Sequence, residues 1–372
     1  MPVPAREHHN RRATRESERA QTRRGRRDSK SCEPALSNSA LDLPFLKTGF
    51  AVDSPQMEPL RVVFMGTAEL ACPSLAALAA RPEYKLVAVV TQPDKPKGRG
   101  LEVQPSPVKR LARELELELL QPEKARDPAF IAALETLAPE LIIVAAYGQI
   151  LPEAILRIPR HGCLNVHASL LPKYRGAAPI QWAILNDETE TGVTIMKIDA
   201  GLDTGDIVAQ RATPIHPHDT AQTLHDRLAR MGAELLVEVL PDYLAGKIQP
   251  RPQPKEGATY APKIQKEHGK IDWTQPARKV WNQVRGLVPW PGAFTYLRTG
   301  AGHALLKIWR AEVVPDASGA PGAVLNVSKS GIDVACGRDA LRILELQLQD
   351  RRKMTAQEFI AGHQLRQGDV LE

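Results

Sequence analysis

At 372 residues with 43% apolar side chains, the chain is too long for one ordinary core and has the composition of a soluble globular protein of about two domains. No apolar run reaches the roughly 18 residues of a membrane span, and Cys32, Cys72, Cys163 and Cys336 lack the CxxC spacing or histidine neighbours of a zinc site or disulfide framework. The formal charge of +6 divides as +4 over residues 1–56, −3 over 57–262 and +5 over 263–372, so attraction for a polyanion must come mainly from the last third.

In chain order, residues 1–56 are rich in Arg, Ser and Glu without a sustained hydrophobic period and are expected to form a disordered arm. Glu7, Glu16, Glu18 and Asp28 set the arm apart from acid-poor mitochondrial transit peptides. Met57 directly precedes the first good strand and reads as the natural start, with the arm an over-long gene model. A cytoplasmic, bacterial-type location is then expected; a mitochondrial one would require the arm to be a transit peptide.

From Leu60, short β-branched runs alternate with helical periods, the pattern of parallel βαβ units. Strands are predicted at 62–65, 86–91, 141–145, 163–166, 193–198 and 207–212, and helices at 69–80, 107–116, 128–137, 178–186 and 221–244. Uniformly apolar strands such as Leu141-Ile-Ile-Val-Ala-Ala146 call for burial on both faces, hence a doubly wound α/β sheet over 57–245. Residues 246–262, rich in Pro, Gln and Lys, read as an extended linker. Residues 263–372 contain Trp273, Trp281, Trp290 and Trp309, a helix at 275–286 and alternating strand-like segments punctuated by Gly and Pro, the pattern of a small, partly open β-barrel.

The first βα turn, Met65-Gly66-Thr67-Ala68-Glu69-Leu70, has one glycine, and no acid closes the second strand near Thr91, so a tight turn is favoured over an NAD site. In the loop Gln92-Pro-Asp-Lys95-Pro-Lys97-Gly-Arg99-Gly100, alternating Pro, Gly and base are expected to prevent helix or strand. Lys95, Lys97 and Arg99 there are either a solvated turn or a basic finger for phosphates.

The densest chemistry lies in Cys163-Leu-Asn165-Val-His167-Ala-Ser169-Leu-Leu-Pro172-Lys-Tyr-Arg175-Gly176 and Gly201-Leu-Asp203-Thr-Gly205. Asn165 and His167 are two apart, so a strand points both to one face. An amide can donate to a carbonyl oxygen that becomes an oxyanion, an imidazole can exchange a proton near neutral pH, and a carboxylate at Asp203 can orient the imidazole. A Ser169-His167-Asp203 hydrolase triad competes, but no G-x-S-x-G elbow surrounds Ser169. The histidines offer no metal site: His161 and His167 have no third ligand, and His216 and His218 lie in a Pro-interrupted loop.

These residues resemble the 10-formyltetrahydrofolate-dependent formyltransferases, and among them the members that act on tRNA. The similarity runs from Leu60 to Leu371. Its signature is Asn165-Val-His167, Ser169-Leu-Leu-Pro172-Lys-Tyr-Arg-Gly176, Thr191-Gly-Val-Thr194 and Leu202-Asp203-Thr-Gly205, supported by Gly98-Arg99-Gly100, Pro105-Ser-Pro-Val-Lys109, Ala146-Tyr-Gly-Gln-Ile-Leu-Pro152 and Pro289-Trp-Pro-Gly292.

The resemblance implies a Rossmann-like, mostly parallel domain that takes 10-formyltetrahydrofolate as co-substrate, without metal or NAD. It also implies an OB-like C-terminal barrel that helps hold initiator methionyl-tRNA, in a monomeric protein with no membrane partner. By matched position, Asn165, His167 and Asp203 are the catalytic trio. Ser169, Leu170, Leu171 and Pro172 form a folate-binding loop, and Tyr147, Gly148, Gln149, Ile150 and Leu151 line the pterin pocket with the backbone around 200–203. Lys95, Lys97 and Arg99 face tRNA, Arg99 at the loop tip. The chain departs from some relatives in following Gly100 with Leu101-Glu102-Val103 in place of further lysines. An amino-sugar formyltransferase or a formyltetrahydrofolate hydrolase would share the trio; a catalytically silent RNA-binding protein on this fold would have an altered one.

Overall fold

The computed structural model describes residues 58–97, 102–299 and 302–372. The expectations for the arm, for Met57 and for Arg99 lie outside the described residues. The first domain contains strands β1 (Leu60–Gly66), β2 (Tyr84–Val90), β3 (Lys95–Lys97), β4 (Glu102–Gln104), β5 (Leu119–Leu120), β6 (Leu141–Ala145), β7 (Cys163–His167), β8 (Arg175–Gly176), β9 (Glu190–Lys197) and β10 (Ile207–Pro214). Its helices are α1 (Cys72–Ala79), α2 (Pro107–Glu114), α3 (Pro128–Leu137), α4 (Glu153–Leu156), α5 (Pro179–Leu185) and α6 (Ala221–Leu244).

Seven strands form one sheet in the order β10-β9-β7-β6-β1-β2-β5. The five from β7 to β5 are parallel, whereas β9 and β10 run antiparallel. The sheet is thus mostly parallel, as expected, and the parallel run stops at β7. The connection 198–206 between β9 and β10 is too short for the crossover that a parallel pair requires.

Alternation along β1 shows why the strands are apolar throughout. Val62 and Phe64 enter a core shared with α1, α2, α5 and α6, while Val63 and Met65 enter a second one shared with α3 and α4. Helix starts follow local chemistry. Ser106 and Asp127 accept backbone N–H groups ahead of Pro107 and Pro128, and Thr220 makes a reciprocal cap with Thr223.

The loop expected to be irregular is a two-stranded ribbon instead: Lys95 pairs with Gln104, Pro96 with Val103 and Lys97 with Glu102. An isolated ribbon consists only of edges, and edges tolerate a proline that a central strand would reject. Its base is tied by Lys109, nearly buried, whose Nζ donates to Asp94 at 2.6 Å and Gln121 at 2.7 Å. These contacts, the Lys109 hydrogen bond first, hold the Asp94 carboxyl below its usual range.

Residues 246–262 are pinned along the first domain. Arg251 exchanges both backbone hydrogen bonds with Ile207, and β11 (Tyr260–Ala261) pairs in parallel with β8. The second domain follows with α7 (Ala277–Gly286), β12 (Ala293–Thr299), β13 (Gly302–Val314), β14 (Val324–Ser328), β15 (Gly331–Ala335), β16 (Ala340–Leu348), β17 (Met354–Thr355) and α8 (Ala356–Gly362). Its strands form an antiparallel sheet in the order β12-β13-β16-β15-β14, with β17 on β16. The C-terminal tail bridges the two ends of this sheet, Leu371 opposite Leu297 and Val370 opposite Ala323. No helix among the described residues is long and apolar enough to cross a membrane.

The two domains meet in a polar clamp. Arg278 forms a bidentate pair with Asp187, Asn282 donates to the same carboxylate, and Arg285 donates to the carbonyls of His216 and Asp219. Asp219, itself buried, is held by both terminal nitrogens of Arg227.

Candidate active site

Strand β7 ends at the carboxyl edge of the sheet, where open α/β folds place ligands. Leu164 and Val166 point into the first core, which leaves Asn165 and His167 on the opposite face. The connection between β9 and β10 folds over that face and delivers Asp203. Asn165 Nδ2 lies 3.4 Å from Asp203 Oδ1, and His167 Nδ1 lies 3.7 Å from Asp203 Oδ2. The structure thus brings Asn165, His167 and Asp203 together across 38 residues of sequence.

The donor inventory assigns the protons. His167 Nε2 sits 3.0 Å from the Tyr174 carbonyl, which can only accept, so Nε2 carries a hydrogen in either charge state. Nδ1 is therefore the nitrogen that gains or loses a proton, and it faces the Asp203 carboxylate. Asp203 accepts the Gly176 N–H at 2.8 Å through the same Oδ2. Asn165 spends one amide hydrogen on Asp203, and among the described residues the second has no partner. The ring of His167 is 6% exposed and the Asp203 side chain 17% exposed, so the carboxylate is the wetter member of the pair.

Ser169 is fully buried and its Oγ donates to the Lys173 carbonyl at 2.6 Å, with no hydrogen bond to His167. A serine nucleophile has no support in this geometry. The loop 169–172 is fastened to the sheet instead. Thr194 Oγ1 donates to the Ser169 carbonyl and accepts the Leu171 N–H, and Gln210 donates to the Leu171 carbonyl and to Thr194 Oγ1. Leu171 is buried, while Leu170 and Pro172 are half-buried. Thr194 and Gln210 carry no sequence signal of their own; Thr194 falls in the quoted signature, Gln210 does not.

Segment 147–151 divides by side. Tyr147 and Leu151 are buried in the second core, and burial pushes the Tyr147 hydroxyl up to about 12. Gln149 is engaged with the backbone of Glu123 and Ala125. What this segment offers a ligand is the exposed backbone of Gly148, at φ 83°, and the side chain of Ile150, 78% exposed. Burial likewise pushes the Cys163 thiol to about 12, which leaves it inert beside the site. Lys95 is exposed and donates to Gln92, whereas Lys97 is placed only by its backbone at the end of β3. Lys95 does not lie among the contacts of the trio. No group of three His, Cys, Asp or Glu suited to a metal occurs among the described residues.

Comparison with known proteins fits this arrangement. The formyl transferase model matches residues 60–240, and the formyl transferase C-terminal domain model matches residues 263–364. Methionyl-tRNA formyltransferase of Geobacter sulfurreducens is 51% identical over 315 residues, covering 85% of this chain and 98% of that protein. The corresponding protein of Caldanaerobacter subterraneus is 53% identical over 84% of this chain and 100% of its own length. The chain belongs to the methionyl-tRNA formyltransferase family. Among solved structures, an N-formyltransferase of Helicobacter canadensis, in complex with folinic acid and dTDP-3-aminofucose, superposes with a TM-score of 0.56 at 19% identity over 76% of this chain and 98% of that one. HypX of Aquifex aeolicus in complex with tetrahydrofolic acid gives 0.55 at 20% identity. That match covers 82% of this chain, which spans 47% of HypX. At such identities these two establish the shared fold of the formyltransferase family and nothing finer.

Proposed function

We propose that the chain transfers the formyl group of 10-formyltetrahydrofolate to the α-amine of methionyl-tRNA, with initiator methionyl-tRNA as the physiological acceptor. The observation that carries this is the intact Asn165, His167 and Asp203 arrangement in a chain about half identical, over nearly their full length, to methionyl-tRNA formyltransferases. The free α-amine has a pKa near 8, so a usable neutral fraction exists at pH 7. Its nitrogen attacks the formyl carbon and the carbonyl oxygen becomes an oxyanion. The unpartnered Asn165 N–H and a proton on His167 Nδ1 stabilise that oxygen. Collapse breaks the bond from carbon to N10; the amine loses one proton and N10 gains one, with His167 and Asp203 as the relay.

Ser169, Leu170, Leu171 and Pro172, with Gly148 and Ile150, form the wall on which the folate ring packs. Lys95, Lys97 and Arg99, with the +5 C-terminal third, supply the attraction for phosphates. The bacterial sources of the relatives support a cytoplasmic setting. An amino-sugar acceptor is disfavoured, because two solved sugar formyltransferases, WlaRD and that of Shewanella, share 18% and 20% identity with this chain, against about half for the methionyl-tRNA formyltransferases. The test is formyl transfer from labelled 10-formyltetrahydrofolate to charged initiator tRNA, charged elongator tRNA and free methionine. Preference for the charged initiator is expected; equal transfer to all three would reject the tRNA assignment.

A further inference from the structure

Residues 251–261 leave the end of the first domain in an exposed run in which Gln253 and Ala258 are half-buried and Ala261 is buried. The Gln253 side chain is fully engaged. Its Nε2 donates to the carbonyls of Asp203 and Gly205, each at 2.8 Å. Its Oε1 accepts from Arg175 Nη2 at 2.7 Å and Nε at 3.1 Å.

Asp203 sits at φ 51°, in the left-handed region, which aspartate adopts more readily than most side chains but still at a cost that its contacts offset. Its carboxylate is fixed from one side by Asn165 and the Gly176 N–H. Its backbone is fixed from the other side by Gln253. Arg175 closes the circuit, since its own N–H donates to the Thr259 carbonyl while the Tyr174 N–H donates to Thr259 Oγ1. Tyr174 in turn presents the carbonyl that orients His167. One stretch of the connection between the domains thus touches the backbone of Asp203 and the segment that holds His167.

We infer that Gln253 is a positioning residue for formyl transfer. It holds the turn of Asp203 so that the carboxylate faces His167, and it makes that alignment depend on the seating of the interdomain connection. The inference rests on the reading of Asp203 as a catalytic residue. A carboxylate displaced by about 1 Å no longer meets the imidazole, and such displacements cost on the order of 100-fold in rate.

Gln253→Glu keeps the shape and the acceptor for Arg175 but turns a donor into an acceptor against two carbonyls; Gln253→Met keeps the volume and removes both functions. Each is combined with Asp203→Asn, and kcat, KM for both substrates and Tm are measured for all forms. Either Gln253 variant suffices if the other fails to fold. The expected result is a 10- to 100-fold loss of kcat from the Gln253 change in the wild-type background, as an order-of-magnitude expectation. Both KM values should stay within about threefold, and the Gln253 change should have no further effect in the Asp203→Asn background. Asp203→Asn alone is read first. A wild-type kcat there overturns the role of Asp203 and the inference with it. A depressed kcat in Asp203→Asn, together with a wild-type kcat in the Gln253 variants or equal losses in both backgrounds, overturns the part of Gln253 alone.

Discussion

In the proposed reaction Asn165, His167 and Asp203 have separate tasks: an amide that donates, an imidazole that carries a proton and a carboxylate that accepts. Asn165 has one amide hydrogen on Asp203 and one without a partner among the described residues, so on the proposed mechanism Asn165→Ala removes an oxyanion donor; kcat should fall by about 100- to 1,000-fold with folate affinity nearly unchanged. A loss appearing in KM alone would move Asn165 from transition-state stabilisation to binding. Gly205 has a different task. A β-carbon there would lie 2.0 Å from the Lys197 carbonyl, so Gly205→Ala must displace the Asp203 turn. Turnover should drop about tenfold or more, with a Tm loss of several degrees; an unchanged kcat would show that the turn has slack.

At the scale of elements, the ribbon β3 and β4 stands on Lys109. Asp94→Ala leaves a nearly buried ammonium with Gln121 as its remaining side-chain partner, and stability should fall by about 1–3 kcal/mol. Thermal unfolding measures this, and a variant as stable as the parent would mean that the ammonium escapes to water.

The ribbon also shows where sequence reading stops. Asn165 and His167 are legible because a period of two puts them on one face, and β1 and β6 are legible because a strand buried on both sides must be apolar. Lys109 looks like any surface lysine on a helix, and its burial arises where the fold sets it against Asp94 and Gln121. Pro96 argues against a strand by composition, yet an edge accepts it. Gln253 has no pattern at all, because its partners are backbone carbonyls 48 and 50 residues away that only the folded chain assembles. Likewise the side chains of Tyr147 and Leu151 belong to the core, a distinction invisible in a motif that lists them beside Gly148 and Ile150.

At the scale of the molecule, the domains are joined by Arg278 and Asn282 on Asp187 and by Arg285 on the carbonyls of His216 and Asp219, while Arg227, in the same domain as Asp219, holds the Asp219 carboxylate. Burial pushes both carboxyls up, but hydrogen bonds from Arg278 and Asn282 on Asp187, and from Arg227 and the His216 N–H on Asp219, outweigh it. Both end below the ordinary value of 3.8. A carboxyl whose folded pKa is depressed adds stability that is present in full above its unfolded value and is lost as pH falls through the folded one. The clamp should therefore hold at neutral pH and weaken below about pH 4. Tm measured against pH should fall more steeply in the parent than in Asp219→Asn below that point, and parallel curves would show that the Asp219–Arg227 pair does not support the carbonyls on which Arg285 sits.

The central claim is that Asn165, His167 and Asp203 together carry out formyl transfer to methionyl-tRNA. A single-turnover measurement, with both substrates saturating, compares the parent with His167→Ala and reads folate affinity separately. A rate reduced by about 100- to 10,000-fold with folate affinity within a few-fold of the parent is the predicted result. A His167→Ala protein that transfers formyl at near the parent rate would contradict it.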